Sequence, residues 1–196
     1  MSEIIRLIRD LINDNYKNAV DVFKYLNSNV FILSYKNINE DLLQVYVNEY
    51  LLDPKDYILD NIYNRITINK DKLEVNDVIT IYYQHTIYSD NELISYISNA
   101  LLQISLEGGF NYQYEDDKFY NDNSEEISLT LKEKRLIAFV ASIIINNPDI
   151  KSYKTPEISI TFADSMSKED RIKMLVNNYK TILGSLDYCS LTGDDC

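Results

Sequence analysis

The residues that could support catalysis are few, and they do not cluster along the chain. The single histidine, His85, follows a strand-like run from Ile79 to Tyr83. A general base or a metal site needs partner side chains at a fitting spacing, and none accompanies this histidine in the sequence. We therefore expect His85 to be an ordinary residue at the end of a strand.

Other chemically suggestive residues lie in polar segments. The acidic clusters Glu115-Asp116-Asp117 and Asp194-Asp195 lack the alternating carboxylates of a calcium loop, which favours solvated loops. Cys189 and Cys196 have no histidine nearby and fit neither a zinc site nor a disulfide framework. The pair Gly108-Gly109 lacks the strand and the lysine of a phosphate-binding loop. The sequence predicts no catalytic, cofactor-binding or metal-binding residue and no enzyme, although carboxylates that meet only after folding stay open.

Composition indicates a soluble globular protein. The 196 residues are 45% hydrophobic and 26% charged, enough for one well-buried domain or for a core with an appended module. The N-terminal residues mix acidic and basic side chains, unlike a signal peptide. The apolar stretch from Leu136 to Ile145 is too short to span a bilayer. We expect a protein made in the cytoplasm without membrane association.

Charge and tyrosine content bear on possible partners. The formal net charge is −12, which repels phosphate and disfavours groove-type binding of nucleic acid. The same repulsion suits a channel that conducts DNA, and solubility is the alternative explanation. The chain has 17 tyrosines and no tryptophan. Tyrosine suits half-buried strands and protein interfaces, while a low-GC codon bias is the alternative.

The first half of the chain changes from a helical to a strand period. Residues 3–13 form an amphipathic pattern, and residues 18–26 could add a second short helix. β-Branched and aromatic runs separated by turn signals then predict a small antiparallel sheet of three to five strands within residues 29–88. Its outer faces are not uniformly polar, so one face is expected to pack on a helix or on a neighbouring subunit.

The second half is predicted to be mainly helical. Capping boxes at Ser89-x-x-Glu92 and Thr130-x-x-Glu133 open two helices, and Ser167-x-x-Asp170 caps a third. A long aromatic and acidic loop at residues 108–127 separates the first two helices. The helix through Leu136–Ile145 is apolar nearly all round, so it is either central to its domain or wedged between subunits.

These elements predict an α+β fold in which a helical bundle of about four to five helices carries a small antiparallel β module. The predicted organisation places N-terminal helices at residues 1–28 and the β module at residues 29–88. A helical core containing the loop 108–127 follows at residues 89–186, and a polar acidic tail at residues 187–196.

Three stretches together resemble the head-to-tail connector, or neck, proteins of tailed bacteriophages. Val45-Tyr-Val-Asn, Asp56-Tyr-Ile-Leu-Asp, Ile66-Thr-Ile and Asp77-Val-Ile-Thr-Ile-Tyr-Tyr are similar to a small β module of phage structural proteins. Tyr88-Ser-Asp-Asn-Glu-Leu-Ile-Ser-Tyr-Ile-Ser-Asn-Ala-Leu resembles a helix opening seen in connectors. The apolar helix from Lys134, the extended segment Glu157-Ile-Ser-Ile-Thr-Phe and the last helix follow the connector order.

The resemblance covers roughly residues 43–186 and implies a structural virion protein. It implies a homo-oligomeric ring of about twelve copies, built by head-to-tail contacts between like subunits. The portal protein would lie above the ring and the tail or another neck protein below, with genomic DNA passing through. Other tail or neck proteins (completion or stopper proteins) and a non-viral protein-binding adaptor are the alternatives. We expect the loop 108–127 to be mobile in the free protein and ordered by a neighbouring protein.

Overall fold

The computed structural model describes residues 1–145, 152–154 and 159–192, and for residue 153 and residues 182–192 it describes the backbone alone. The chain divides into two compact units. Unit 1 contains Met1–Asn13 and the chain from Asp90 onward, and unit 2 contains Asp14–Ser89. The sequence between the two parts of unit 1 therefore forms a unit with its own core.

The prediction of a helical bundle is wrong. The described residues form a mixed α+β protein with four helices and twelve strands, all paired antiparallel. Two segments account for most of the difference. Residues 18–26 lie largely in a strand instead of a second helix, and the segment predicted as the loop 108–127 contains three short strands. The β structure is thus too extensive to be a small module on a bundle.

Unit 2 is a sandwich of two antiparallel sheets. Its strands are β1 (Lys17–Lys24), β2 (Val30–Ile32), β3 (Gln44–Val47), β4 (Tyr50–Leu51), β5 (Tyr57–Asp60), β6 (Arg65–Ile68) and β7 (Val78–His85). The four-stranded sheet has the order β1-β7-β3-β4, and the three-stranded sheet has the order β2-β6-β5. The sequence predicts one sheet of three to five strands within residues 29–88, whereas unit 2 has seven strands in two sheets, the first of them at Lys17–Lys24.

The sandwich core follows from the period of two in its strands. In β7, Ile79, Ile81 and Tyr83 are buried, while the residues between them are wholly or partly accessible. They join Phe31 and Ile66 of the other sheet in one cluster of buried side chains. Residues alternate between the two faces of a strand, so this burial fixes which side chains point outward.

Strand β1 replaces the predicted second helix because both periods fit its sequence. Ala19 and Phe23 are four residues apart, a spacing that places two side chains on one face of a helix and also on one face of a strand. β1 pairs with β7 along its whole length, from Lys17 opposite His85 to Lys24 opposite Val78. Val20 and Val22 carry β-branched side chains that fit the pleated surface well. Pairing with a long buried partner strand decides the outcome.

Unit 1 contains the four α-helices of the described residues: α1 (Ser2–Ile12), α2 (Asp90–Leu106), α3 (Leu131–Ile144) and α4 (Lys168–Thr192). α3 packs against the other three, and residues such as Ile137, Val140 and Ala141 are fully buried on its successive faces. The helix is therefore central to its own unit. None of the described helices combines the length and the apolar character needed to cross a bilayer.

Helix caps largely agree with the sequence. The capping box of Thr130 and Glu133 is confirmed at the start of α3. At the start of α4, the Asp170 amide donates to the Ser167 hydroxyl at 3.1 Å, which confirms that cap. The amphipathic helix predicted at residues 3–13 is confirmed as α1, although it ends at Ile12. α4 continues through Thr192, where the sequence predicts a tail from residue 187.

Unit 1 also contains short strands. β8 (Gln113–Glu115), β9 (Lys118–Tyr120) and β10 (Glu126–Ile127) form a meander, and β11 (Ser152–Lys154) pairs with β12 (Ser159–Thr161). The meander is tied to the helices of its own unit. The Tyr112 hydroxyl donates to Glu133 of α3 at 2.8 Å, and the Phe110 ring meets Tyr179 of α4 edge-on. The predicted long loop is therefore a packed element for much of its length.

Candidate functional site

His85 is built into the core of unit 2. It is the last residue of β7, as the sequence predicts, and only 7% of it is exposed. Its ring stacks on Tyr35 with centroids 3.9 Å apart and an interplanar angle of 11°. Burial, followed by the positive charge of Lys17, lowers the pKa of His85, and the Asp14 carboxylate opposes this only in part. A neutral stacked imidazole is a packing residue more than a proton-transfer group.

A polar cluster inside the same sheet has a structural explanation. Asp21 accepts hydrogen bonds from the Ser34 amide at 2.8 Å, the Ser34 hydroxyl at 2.6 Å and the Tyr83 hydroxyl at 2.7 Å. Burial alone would raise the pKa of Asp21, but these donors outweigh it and the pKa lies below its ordinary value. Burial and the Asp21 carboxylate raise the pKa of Tyr83. The donors stabilise a charge that points toward the core.

The acidic cluster Glu115-Asp116-Asp117 lies at a hairpin turn. Asp116 and Asp117 connect β8 to β9 with φ angles of 47° and 64°. Two central residues with positive φ are typical of a type I′ turn, in which aspartate is tolerated better than most residues. Asp117 also accepts a hydrogen bond from the Tyr114 hydroxyl. Turn geometry explains this cluster without a bound cation.

The part of the chain that the structure describes gives no support for a metal site. Among the described residues, no group of three or more His, Cys, Asp or Glu side chains could hold a metal ion. The second acidic cluster, Asp194-Asp195, and Cys196 lie outside the described residues, as does the side chain of Cys189. The predicted absence of a catalytic or metal-binding residue stays a prediction.

The glycine pair ends a helix. Gly108, with φ 71°, donates its amide to Ser105, and Gly109 donates to the Ile104 carbonyl at 2.8 Å. This is the Schellman arrangement that follows many helices. A Cβ at Gly109 would lie 2.6 Å from the Ile104 side chain and 2.9 Å from its carbonyl oxygen. The second glycine is therefore required by close packing, and the pair ends α2.

Comparison with known proteins leaves the family open. No protein-family model matches this chain, and no curated protein matches it significantly. Family membership therefore gives no information on function, and the surface of the chain has to supply it.

The exposed apolar side chains are concentrated in unit 2. Of the twenty large hydrophobic residues that are exposed in the described chain, seventeen lie in this unit. The other three, Leu102, Leu106 and Leu131, lie in unit 1. Unit 2 is less than half of the chain, so this distribution is strongly uneven. Exposed apolar surface beyond scattered single residues marks interaction sites in soluble proteins.

The outer face of the four-stranded sheet, here called face A, is one such surface. Cross-strand rows run from Val20 through Tyr82, and from Val22 through Thr80 and Tyr46 to Leu51. Val22 is 63% exposed and Tyr82 45% exposed. The rings of Tyr46 and Tyr82 meet edge-on at 5.6 Å, and they border an open depression of about 430 Å³.

Charged side chains are confined to the margins of face A. Lys24 stands opposite Val78 at the end of the β1–β7 pair, and Glu49, in the turn between β3 and β4, borders the depression. The rows between them consist of valine, leucine, threonine, tyrosine and amide side chains. An uncharged centre with charges at the rim is the usual anatomy of a protein interface.

The outer face of the three-stranded sheet, here called face B, has a similar character. Val30, Thr67 and Ile58 form one row, and Ile32, Arg65 and Asp60 form the next. Ile32 is 71% exposed and Ile58 is 70% exposed. Face B therefore carries apolar side chains beside one pair of opposite charges.

The charges of face B neutralise each other. Arg65 binds the Asp60 carboxylate through Nε at 3.0 Å and through its terminal nitrogen at 2.9 Å. The guanidinium also lies 5.1 Å from the ring centroid of Tyr63. A paired arginine that contacts an aromatic ring can enter an interface without leaving an isolated charge.

Sequence reasoning missed most of this surface. It noted that the outer faces of the sheet are not uniformly polar, but it placed residues 18–26 in a helix and so lost Val20 and Val22 from face A. The signal was present, because β1 alternates along its length between an inner set, Ala19, Asp21 and Phe23, and an outer set. A period-two test of that segment offers a strand as an alternative to the helix, and pairing with β7 decides between the two.

Proposed function

We propose that this protein is a structural subunit of the ring that joins the portal of a tailed-phage capsid to the tail. The observation that carries the proposal is the concentration of exposed apolar side chains in unit 2. A free monomer would expose these side chains to water, whereas an assembled subunit would cover them. The connector-like sequence patterns supply the class of assembly.

The charge of the chain supports passage of DNA through such a ring. Each subunit has a formal net charge of −12, and a ring multiplies this charge by its copy number. Acidic residues that face the bore would keep DNA residence short, because the phosphates are repelled at every position. The function is then mechanical and electrostatic, and it needs no catalytic group.

Sedimentation velocity and electron microscopy of the purified full chain test the proposal. We expect closed rings of cyclic symmetry with a channel wide enough for duplex DNA, and an excess of Asp and Glu on the channel wall relative to the outer rim. A monomer at every concentration from about 1 to 100 μM would refute the ring and favour an adaptor module. A ring with its acidic residues only on the outer rim would refute the DNA conduit.

A further inference from the structure

The two outer faces of unit 2 differ in composition, and both are exposed. Face A is an uncharged surface of valine and tyrosine, and face B combines isoleucine with the Arg65–Asp60 pair. The two sheets of the sandwich share one core, so their outer faces point away from each other. One copy of the chain therefore presents two unlike apolar surfaces in opposite directions.

We propose that copies of this chain join head to tail, with face A of one copy packed against face B of the next. This inference rests on the proposed ring function and names the contact that builds the ring. A contact between unlike surfaces leaves one free surface at each end, so it propagates, and it forms a ring where the rotation between successive copies closes. A contact of face A with itself would stop at a dimer and leave face B exposed.

The area of the faces fits a closed ring better than an isolated dimer. Strand spacing of about 4.8 Å and a rise of about 3.4 Å per residue give face A an area of roughly 400 Å². A single contact would then bury roughly 800 Å² in total, below the standard range for stable complexes. In a ring every copy makes two such contacts, so a copy leaves the ring only when both of its contacts break.

The charge distribution favours contact between copies at these two faces over contact at other positions. Two chains of net charge −12 repel each other over most of their surfaces. The centre of face A is uncharged and the one ion pair of face B is internally neutral, so contact between them buries no unpaired charge. Burial of an unpaired charge would oppose association at other positions.

The strand edges of the four-stranded sheet are poorly suited to association. β1, at one edge, begins with Lys17 and ends with Lys24, and Asp21 in its middle points inward. β4, at the other edge, is only two residues long. Flanking lysines, inward charges and short edge strands are devices that oppose strand addition. In the four-stranded sheet, the outer face is therefore better suited to a second copy than the edges.

Two substitutions test the contact. Val22→Glu adds a charge to face A, and Ile58→Lys adds a charge to face B, both at positions more than half exposed in the folded chain. Leu102→Glu, at a position 56% exposed in unit 1, is the matched control. Sedimentation velocity would be measured for each variant alone and for an equimolar mixture of the first two, and circular dichroism would check folding.

We expect each face variant to remain monomeric by itself, while the control assembles as the wild-type chain does. The mixture should form a weak 1:1 heterodimer that dissociates on dilution, because intact face B of Val22→Glu meets intact face A of Ile58→Lys through one contact only. Heterodimer formation also shows that both variants are folded.

Other outcomes overturn the inference in recognisable ways. If Val22→Glu fails to assemble but Ile58→Lys assembles normally, face A pairs with face A of another copy. If Ile58→Lys fails to assemble but Val22→Glu assembles normally, face B pairs with face B. If both face variants form normal rings, the contact lies elsewhere and the proposed function survives. Equal loss of assembly in Leu102→Glu would show that added charge, not its position, matters. A monomeric wild-type chain refutes the proposed function itself.

Discussion

Removal of the Tyr83 hydroxyl should destabilise unit 2 in a pH-dependent way. Tyr83 is 2% exposed, and its hydroxyl donates to Asp21 at 2.7 Å. Hydrogen bonds to a charged group contribute about 1.5–3 kcal/mol, and the two Ser34 donors remain in Tyr83→Phe. We therefore expect a loss near the lower end, about 1–2 kcal/mol of unfolding free energy.

The pH dependence follows from both partners. The pKa of Asp21 is lowered in the folded chain, so its contribution is present above the unfolded pKa and is lost as pH falls through the folded pKa. The pKa of Tyr83 is raised above its usual value of 10.0, so its contribution is present below pH 10 and is lost as pH rises further. The difference between wild type and Tyr83→Phe should thus be largest between these limits and shrink outside them.

Urea unfolding at a series of pH values measures this difference. Tyr50→Phe is the control, because Tyr50 is 80% exposed and stands opposite Val47, outside the rows of face A. We expect that control to change the unfolding free energy by less than about 0.5 kcal/mol, as surface substitutions do. A Tyr83→Phe variant as stable as the control at neutral pH would refute the role of the network, and so would a constant difference across the pH range.

Four further outcomes are expected. Glu49→Gly should raise the unfolding free energy, measured with urea, by about 0.5–1 kcal/mol, because Glu49 has a φ of 73° that glycine adopts without strain. A loss of stability would contradict this. Ile143→Asp places an unpaired charge in α3, where Ile143 is 4% exposed, and should lower the unfolding free energy by several kcal/mol. Circular dichroism should then show that unit 1 is unfolded, whereas a folded, fully assembled variant would show that α3 is not part of the core. The free protein should not retain duplex DNA in gel-shift assays at physiological salt, because a chain of net charge −12 cannot replace the counterions of DNA; salt-sensitive retention would contradict this. Assembly should strengthen from about 0.05 to 0.5 M NaCl in sedimentation experiments, because salt screens repulsion between subunits; dissociation by salt would indicate an interface built on ion pairs.

Local sequence patterns predict the buried strands better than the total architecture. The alternation of Ile79, Ile81 and Tyr83 with accessible residues predicts β7 because a strand buried on one face has a strict period of two. Residues 18–26 are ambiguous, since Ala19 and Phe23 satisfy both periods, and only pairing with β7 decides between them. That pairing joins distant parts of the chain and has no local signal.

The meander at residues 113–127 is not predictable from the sequence, for a different reason. Its strands are two or three residues long, too short to show a period, and its first turn uses aspartates at positive φ where a hairpin signal would contain glycine. The candidate surface was only partly predictable as well. The sequence shows that some exposed strand residues are apolar, but the register is needed to place Val20 beside Tyr82, or Ile58 beside Thr67.

The position of α3 decides which apolar surface is left for partners. The sequence allows this helix either a central place in its domain or a place between subunits. In the structure α3 packs against α1, α2 and α4, so its apolar faces are used inside unit 1. The exposed apolar side chains lie mostly in unit 2, and part of them forms two faces whose charges are marginal or paired. In the ring that we propose, repulsion between acidic chains would keep free copies dispersed, and only contact between these faces would hold copies together.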